Sequence, residues 1–222
     1  MTTTSTNRAA GTVGDARVTG VIDGIRAQQD GMIQAMMSDP RNMAGFGISV
    51  SAFKGDTLYV LARATGAKWI VECASSFGVS TMYLAAAVRD NGGGRVIGAE
   101  IVPEKVETAR KHLADAGLSE YAEIREGDAK ETLADVAGEI DFVFLDGWPS
   151  EPPTLARTVI ELLRPQLRPG ALIVNDNIED DYLDYVRDPA NGFRSVTLPL
   201  LAPADAGMSN LSRSEFEFTL FG

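Results

Sequence analysis

The sequence predicts a doubly wound α/β domain, and three observations carry that reading. Short β-rich apolar runs alternate with helical patterns from Lys68 onward, polar residues follow the ends of the runs, and the last stretch changes to two strands joined by a loop. The apolar runs are Trp69 to Val71, Arg95 to Ala99, Ala122 to Arg125, Asp141 to Leu145 and Ala171 to Asn175. Between the second and third, Pro103 suits a first helical turn, Val106, Ala109, Leu113 and Ala116 make one apolar stripe, and Gly117 can end the helix. Between the fourth and fifth, Leu155, Val159, Leu162 and Leu163 repeat that spacing before Pro165 and Gly170 break it. Phe193 to Leu200 and Glu215 to Phe221 then read as a terminal hairpin. Upstream, Val18 to Met37 and Lys54 to Thr65 read as helices that cover one edge of a pocket.

A chain of 222 residues with 45% hydrophobic content can bury one substantial core. The expected organisation is a mobile tail over residues 1–20 and a single domain over 21–222, with a helical cover at about 21–66. A formal charge of −11 repels phosphate backbones, so nucleic acid is a poor partner and a small molecule a better one. Cys73 is the only cysteine, which excludes an internal disulfide and a cysteine-cluster metal site and fits a reducing compartment. The first twenty residues lack the apolar stretch of a secretory signal, and no apolar run approaches the ~20 residues of a membrane span, so the cytoplasm is the expected location.

Ligands of open parallel sheets bind beyond the carboxyl ends of the strands. Five such places carry polar residues. The first is the small-residue run from Glu72 through Cys73, Ala74, Ser75, Ser76, Phe77, Gly78, Val79 and Ser80 to Thr81, where a backbone turn can approach a ligand closely; an ordinary strand-to-helix turn would look the same. The second is Glu100, placed to accept both hydroxyls of a ribose, or simply a solvated acid near the helix that starts at Pro103. The third is Gly127-Asp128-Ala129, which could frame an adenine or merely cap a helix through Asp128. The fourth and fifth are Asp146, in Phe144-Leu145-Asp146-Gly147-Trp148, and the pair Asp176-Asn177. Two carboxylates and an amide oxygen are hard donors suited to Mg²⁺, although Asp and Asn are also common turn residues.

From about Ile48 to Leu200 this ordered set resembles the class I methyltransferases of the catechol O-methyltransferase-like group, bacterial branch. The resemblance implies a Rossmann-like, seven-stranded, mostly parallel sheet and S-adenosylmethionine as cofactor. Glu72, Gly78 and Ser80 keep the family's Glu-x-Gly-x-x-x-Gly-x-Ser loop, whereas Ala74 replaces its first glycine. Glu100, with Ile101 beside it, matches the ribose-binding acid, Asp128 and Ala129 the adenine side, and Val50 a cofactor contact from the N-terminal helices. Asp146, Asp176 and Asn177 match the metal ligands, while Pro149 stands where the family has a catalytic lysine.

The implied activity is methyl transfer to a small phenol- or catechol-like hydroxyl, with a Mg²⁺-type cation as activator and water or Asp146 taking the proton. Trp148 is expected against the adenine or the acceptor, Lys54 is expected to be exposed, and the sole histidine, His112, to be a solvated helix residue. A metal-independent natural-product methyltransferase and a non-catalytic cofactor-binding protein are the alternatives that Pro149 keeps open. A nicotinamide oxidoreductase is disfavoured because the Gly-x-Gly-x-x-Gly turn is missing. The partner is a small-molecule acceptor, with a homodimer open.

Overall fold

The computed structural model describes residues 13–38, 49–136, 138–147, 150–200 and 215–222. Two helices, α1 (Ala16–Ser38) and α2 (Ala52–Ala64), precede β1 (Trp69–Cys73). There follow α3 (Val79–Asp90), β2 (Arg95–Glu100), α4 (Pro103–Asp115), β3 (Ala122–Glu126), the short α5 (Ala129–Thr132) and β4 (Ile140–Leu145). The chain continues through α6 (Leu155–Leu163), β5 (Leu167–Asn175), α7 (Asp180–Arg187), β6 (Phe193–Pro199) and β7 (Glu215–Phe221). The strands form one seven-stranded sheet in the order β3-β2-β1-β4-β5-β7-β6, parallel except that β7 runs antiparallel to β5 and to β6. The doubly wound sheet with a terminal antiparallel pair is the expected fold.

β1 pairs in parallel with both β2 and β4, so the strand order reverses there and a crevice opens at its carboxyl end. Helix α3 runs under that crevice. Its residues from Val79 to Val88 are all buried, and the Ala85-Ala86-Ala87 run lets it pack closely against its neighbours. On the other face of the sheet, Val159, Ile160 and Leu163 of α6 and Tyr182 and Val186 of α7 close a second apolar layer with Val143, Leu145 and Ile173.

Two expectations change. Residues 16–20 are not tail but the start of α1: Asp15 Oδ1 accepts from the backbone N–H of Arg17 at 2.9 Å, and Val18 is fully buried. The cap and the buried valine outweigh the poor helix propensity of Thr19 and Gly20. Arg17 further ties this end of α1 to the last carbonyls of α4, donating to the oxygens of Asp115 and Ala114. Lys54 is not exposed: it lies in the first turn of α2 with 3% of its surface accessible. Residues 1–12, Ile48, Trp148, Pro149 and the Leu201 to Ser214 segment lie outside the described residues, and so do the expectations attached to them. Among the described residues no helix is long and apolar enough to cross a membrane.

Candidate functional site

At the carboxyl ends of β1, β2 and β3 lies a cavity of about 390 Å³, a volume in the usual range for small-molecule sites. Ala74, Glu100, Ile101, Asp128 and Ala129 line it from the sheet side, and Ser150, Leu155 and Thr158 from the segment after β4. Glu100 is 94% hidden from solvent, with its two oxygens turned in different directions. Oε2 accepts from Ser76 N at 2.8 Å and Oε1 from Val102 N at 2.9 Å. Backbone donors thus fix the carboxylate at the cavity wall, where each oxygen retains acceptor capacity for a ribose hydroxyl. Ile101, which follows it, is 66% exposed, an apolar surface beside a polar anchor.

Glu72 does not line this cavity. It is fully buried behind the loop, where one oxygen accepts from the hydroxyls of Ser75 (2.7 Å) and Thr81 and the other has no partner among the described residues. Burial pushes its carboxyl upward, against the pull of the Ser80, Thr81 and Ser75 hydroxyls. Glu72 therefore knots the loop to the start of α3, and Ser80 belongs to that knot. Gly98 makes the approach possible, since a Cβ there would lie 2.2 Å from Ser75 Oγ. The loop itself is strained: Ala74 has φ 66° and Ser76 φ 48°, in the left-handed region that glycine prefers, while Gly78 (φ 83°) caps α3.

Asp128 caps α5, accepting from Lys130 N at 2.9 Å, and lines the cavity at the same time. Val50 is buried in the core beneath α1, and its carbonyl accepts from Arg26 Nη2 at 3.2 Å. It is brought near the site by the chain entering α2 but does not line the cavity. His112 is not simply solvated: its Nδ1 bonds the Phe77 carbonyl at 2.9 Å, which ties α4 to the loop after β1.

The second group of residues sits at the ends of β4 and β5. Asp146 Oδ1 accepts from Gly147 N at 2.8 Å and from Asn177 Nδ2 at 2.7 Å. Asp176 is 3% exposed and its Oδ1 is paired with Lys54 Nζ. Burial, and then the Asp176 charge, push the Asp146 carboxyl up, opposed by the Gly147 N–H and by Lys54. Burial likewise raises Asp176, opposed by the Lys54 ammonium. The structure thus brings Asp146, Asp176 and Asn177 together as expected, but as a hydrogen-bonded cluster already carrying a cation. Asp176 is neutralised by an ammonium, and Asn177 turns its Nδ2, not its oxygen, to Asp146. This donor set does not fit a divalent ion, which needs several converging oxygens. Among the described residues no group of three or more His, Cys, Asp or Glu is arranged to hold a metal.

Sequence reasoning missed Lys54, because its partner Asp176 lies 122 residues further along the chain and α2 also carries Asp56 and Arg63, so a lysine in its first turn reads as a solvated one. It also missed Ser150 and Thr158, because loop residues that reach a cavity from the far side leave no periodic trace.

The reversed strand order, the carboxylate at the end of β2 and the nucleoside-sized cavity define a Rossmann-like nucleotide-binding architecture. Residues 71–178 match the family model described as a methyltransferase domain. The catechol O-methyltransferase of Niastella koreensis is 36% identical over 138 residues, and the match spans 60% of this chain and 60% of that relative. A cofactor-bound crystal structure of a protein from MTB superposes with a TM-score of 0.66 at 25% identity, over 85% of this chain and 88% of that one. The O-methyltransferase from Bacillus cereus in complex with SAH superposes with a TM-score of 0.65 at 20% identity, over 88% and 91%, which shows the shared fold. Over the matched part, the chain is similar to methyltransferases of the catechol O-methyltransferase-like type, and it spans about 60% of the length of the curated relatives it matches.

Proposed function

We propose that this protein is an S-adenosylmethionine-dependent O-methyltransferase acting on a small hydroxylated, phenol- or catechol-like acceptor. The observation that carries this is Glu100: a buried carboxylate held by Ser76 N and Val102 N and facing a cavity of about 390 Å³. When bound, S-adenosylmethionine supplies an already activated methyl group. The residues that line the cavity fit its nucleoside half: Glu100 would receive the ribose hydroxyls, and Ile101, Ala129 and Asp128 would hold the base. The left-handed backbone at Ala74 and Ser76 brings the loop after β1 close to the ligand, and Glu72 holds that loop from behind. The Niastella koreensis relative is named for catechol, a small acceptor, and the acidic balance of this chain disfavours nucleic acid.

At the acceptor end, Asp146 is the carboxylate we assign to take the hydroxyl proton, a role supported by its buried position at the end of β4 beside Asn177 and by the burial that raises its proton affinity. A divalent metal, expected from the resemblance, would have to displace Lys54 from Asp176, which favours a metal-independent version of the reaction. The lone, buried Cys73 supports a reducing, cytoplasmic setting. The same reading includes a homodimer, for which Val196 and Leu198 on edge strand β6 offer exposed apolar surface, and sedimentation velocity tests it.

Thermal denaturation with ligands tests the cofactor directly. S-adenosylhomocysteine at a hundred times its dissociation constant should stabilise by ~2.7 kcal/mol and raise Tm by several degrees, whereas NAD should leave it unchanged. Equal shifts with both, or a shift with NAD alone, would sink the methyltransferase reading.

A further inference from the structure

The cluster at the ends of β4 and β5 contains its own cation, and the chain aims it there by three separate devices. Ser51 caps α2 by accepting from Lys54 N at 3.3 Å, which fixes the backbone from which the side chain departs. Gly55 brings α2 against α3, since a Cβ there would stand 2.2 Å from Tyr83 Cε2. Phe216 of β7 presents its ring face 5.2 Å from Lys54 Nζ, on a strand hydrogen-bonded to β5, which Asp176 directly follows. The side chains of Lys54 and Asp176 are each 4% exposed. A lysine this deep is tolerated only when its charge is met, and here a carboxylate and an aromatic face meet it.

The position also bears on Asp146. The Lys54 charge opposes the burial that raises this second carboxyl, so one ammonium serves both acids. Gly147 N and Asn177 Nδ2 both donate to Asp146 Oδ1. A divalent ion brought to Asp176 would meet an ammonium already in contact with the ligand oxygen and an amide N–H in place of an amide oxygen. Both meetings are repulsive.

We propose that Lys54 is the built-in cation of this site, holding Asp176 in the place a divalent metal would need, so that the Asp146, Asp176 and Asn177 cluster excludes Mg²⁺ and methyl transfer here is metal-independent. Lys54 acts through Asp176 and is a positioning residue. The clause on methyl transfer rests on the proposed function, and the clause on metal exclusion does not.

The test titrates Mn²⁺ and Mg²⁺ into the full chain, with and without S-adenosylhomocysteine, following heat and the Mn²⁺ electron paramagnetic resonance signal. The wild-type chain is expected to bind neither ion at this cluster, and chelator is expected to leave S-adenosylhomocysteine affinity and turnover on a phenol panel unchanged. Lys54→Met removes the charge but keeps an apolar side chain of similar length, and should raise Mn²⁺ affinity by about tenfold or more. Lys54→Gln should do the same, Lys54→Arg should not, and adding Asp176→Asn to Lys54→Met should abolish the gain. A lysine with only a packing role would not produce that pattern. Micromolar Mn²⁺ binding by the wild type that Asp176→Asn removes overturns the proposal, and so does absence of a gain in folded Lys54→Met and Lys54→Gln. The wild-type arm decides even if both variants fail to fold. Failure of the wild type to bind S-adenosylhomocysteine would count against the proposed function and leave the metal result standing.

Discussion

At the ends of β1 and β2 the carboxylates are met by backbone N–H groups and hydroxyls of the two neighbouring strand-to-helix turns, whereas at the end of β5 Asp176 is met by a side chain from far away in the chain. Glu100 bonds Ser76 N and Val102 N, and Glu72 bonds Ser75 and Thr81, all within about two loops of the sheet. Asp176 instead bonds Lys54, 122 residues earlier. The nucleoside end is therefore a property of the strand-to-helix turns, stable wherever the sheet is stable. The acceptor end depends on how α2 docks.

The sharpest way to break this division is Glu100→Ala. The variant should lose S-adenosylhomocysteine affinity by at least ~100-fold, because charge-assisted hydrogen bonds to the ribose disappear and two loop N–H groups lose their acceptor. Calorimetry measures it. An unchanged affinity would remove Glu100 from the binding site and with it the local character of this end.

Gly55→Ala tests the other end. The added methyl would meet the Tyr83 ring, itself 4% exposed and holding its hydroxyl 3.3 Å from Arg26, so α2 must lift rather than the ring move aside. A loss of about 1–3 kcal/mol in denaturant unfolding is expected, as for other overpacked cores. S-adenosylhomocysteine affinity should change far less than acceptor turnover. Equal damage to both would mean that the two ends are one mechanical unit.

Asp141 serves as a control at the opposite, amino end of β4. Burial pushes its carboxyl up, but the Trp69 N–H, the Arg168 side chain and the Lys68 N–H outweigh it and hold the carboxyl below its ordinary 3.8. A depressed folded value gives stability that is present above the ordinary value and lost as pH falls through the folded one, so the loss lies below about pH 4. Asp141→Asn should flatten that acid limb and cost about 1–2 kcal/mol at neutral pH, with ligand affinity unchanged. An acid limb identical to the wild type would show that Asp141 is not its source.

The same contrast explains what could be read from the sequence. The five parallel strands and the terminal pair were legible because apolar runs of Val, Ile and Phe bounded by helical stripes leave few other folds. Glu100 was legible because an acid directly after a strand has a fixed place in such a sheet. Lys54 was not, since its meaning lies in a pairing across the fold, and periodicity carries no information about such a partner. The start of α1 was hidden for a related reason: Thr19 and Gly20 argue locally against a helix, and only the burial of Val18 and the Asp15 cap decide for it. Asp146, Asp176 and Asn177 were legible as polar residues at neighbouring strand ends, but the pairing of Asp176 with Lys54 and the turn of Asn177 Nδ2 toward Asp146 were not.

The smallest expected effect concerns Ala74, where the loop departs from the glycine of its relatives. Its φ of 66° costs a non-glycine residue roughly 1–2 kcal/mol, and the chain tolerates the methyl because Gly147 lies opposite, an added Cβ there being 4.0 Å from that of Ala74. Ala74→Gly relieves the strain but loosens the unfolded chain by ~0.5–1 kcal/mol, leaving a net gain of about 0.5–1 kcal/mol. Tm should rise by about 2 °C for a domain of this size. Because Ala74 lines the cavity, removing its methyl should also tighten S-adenosylhomocysteine by a few-fold. Ser76→Gly, at φ 48°, is the companion variant: it keeps the N–H that Glu100 accepts, so it should gain stability without gaining affinity. If both variants gained affinity equally, loop strain alone would govern the nucleoside end, and the closeness of the Ala74 backbone to the ligand would have no separate role.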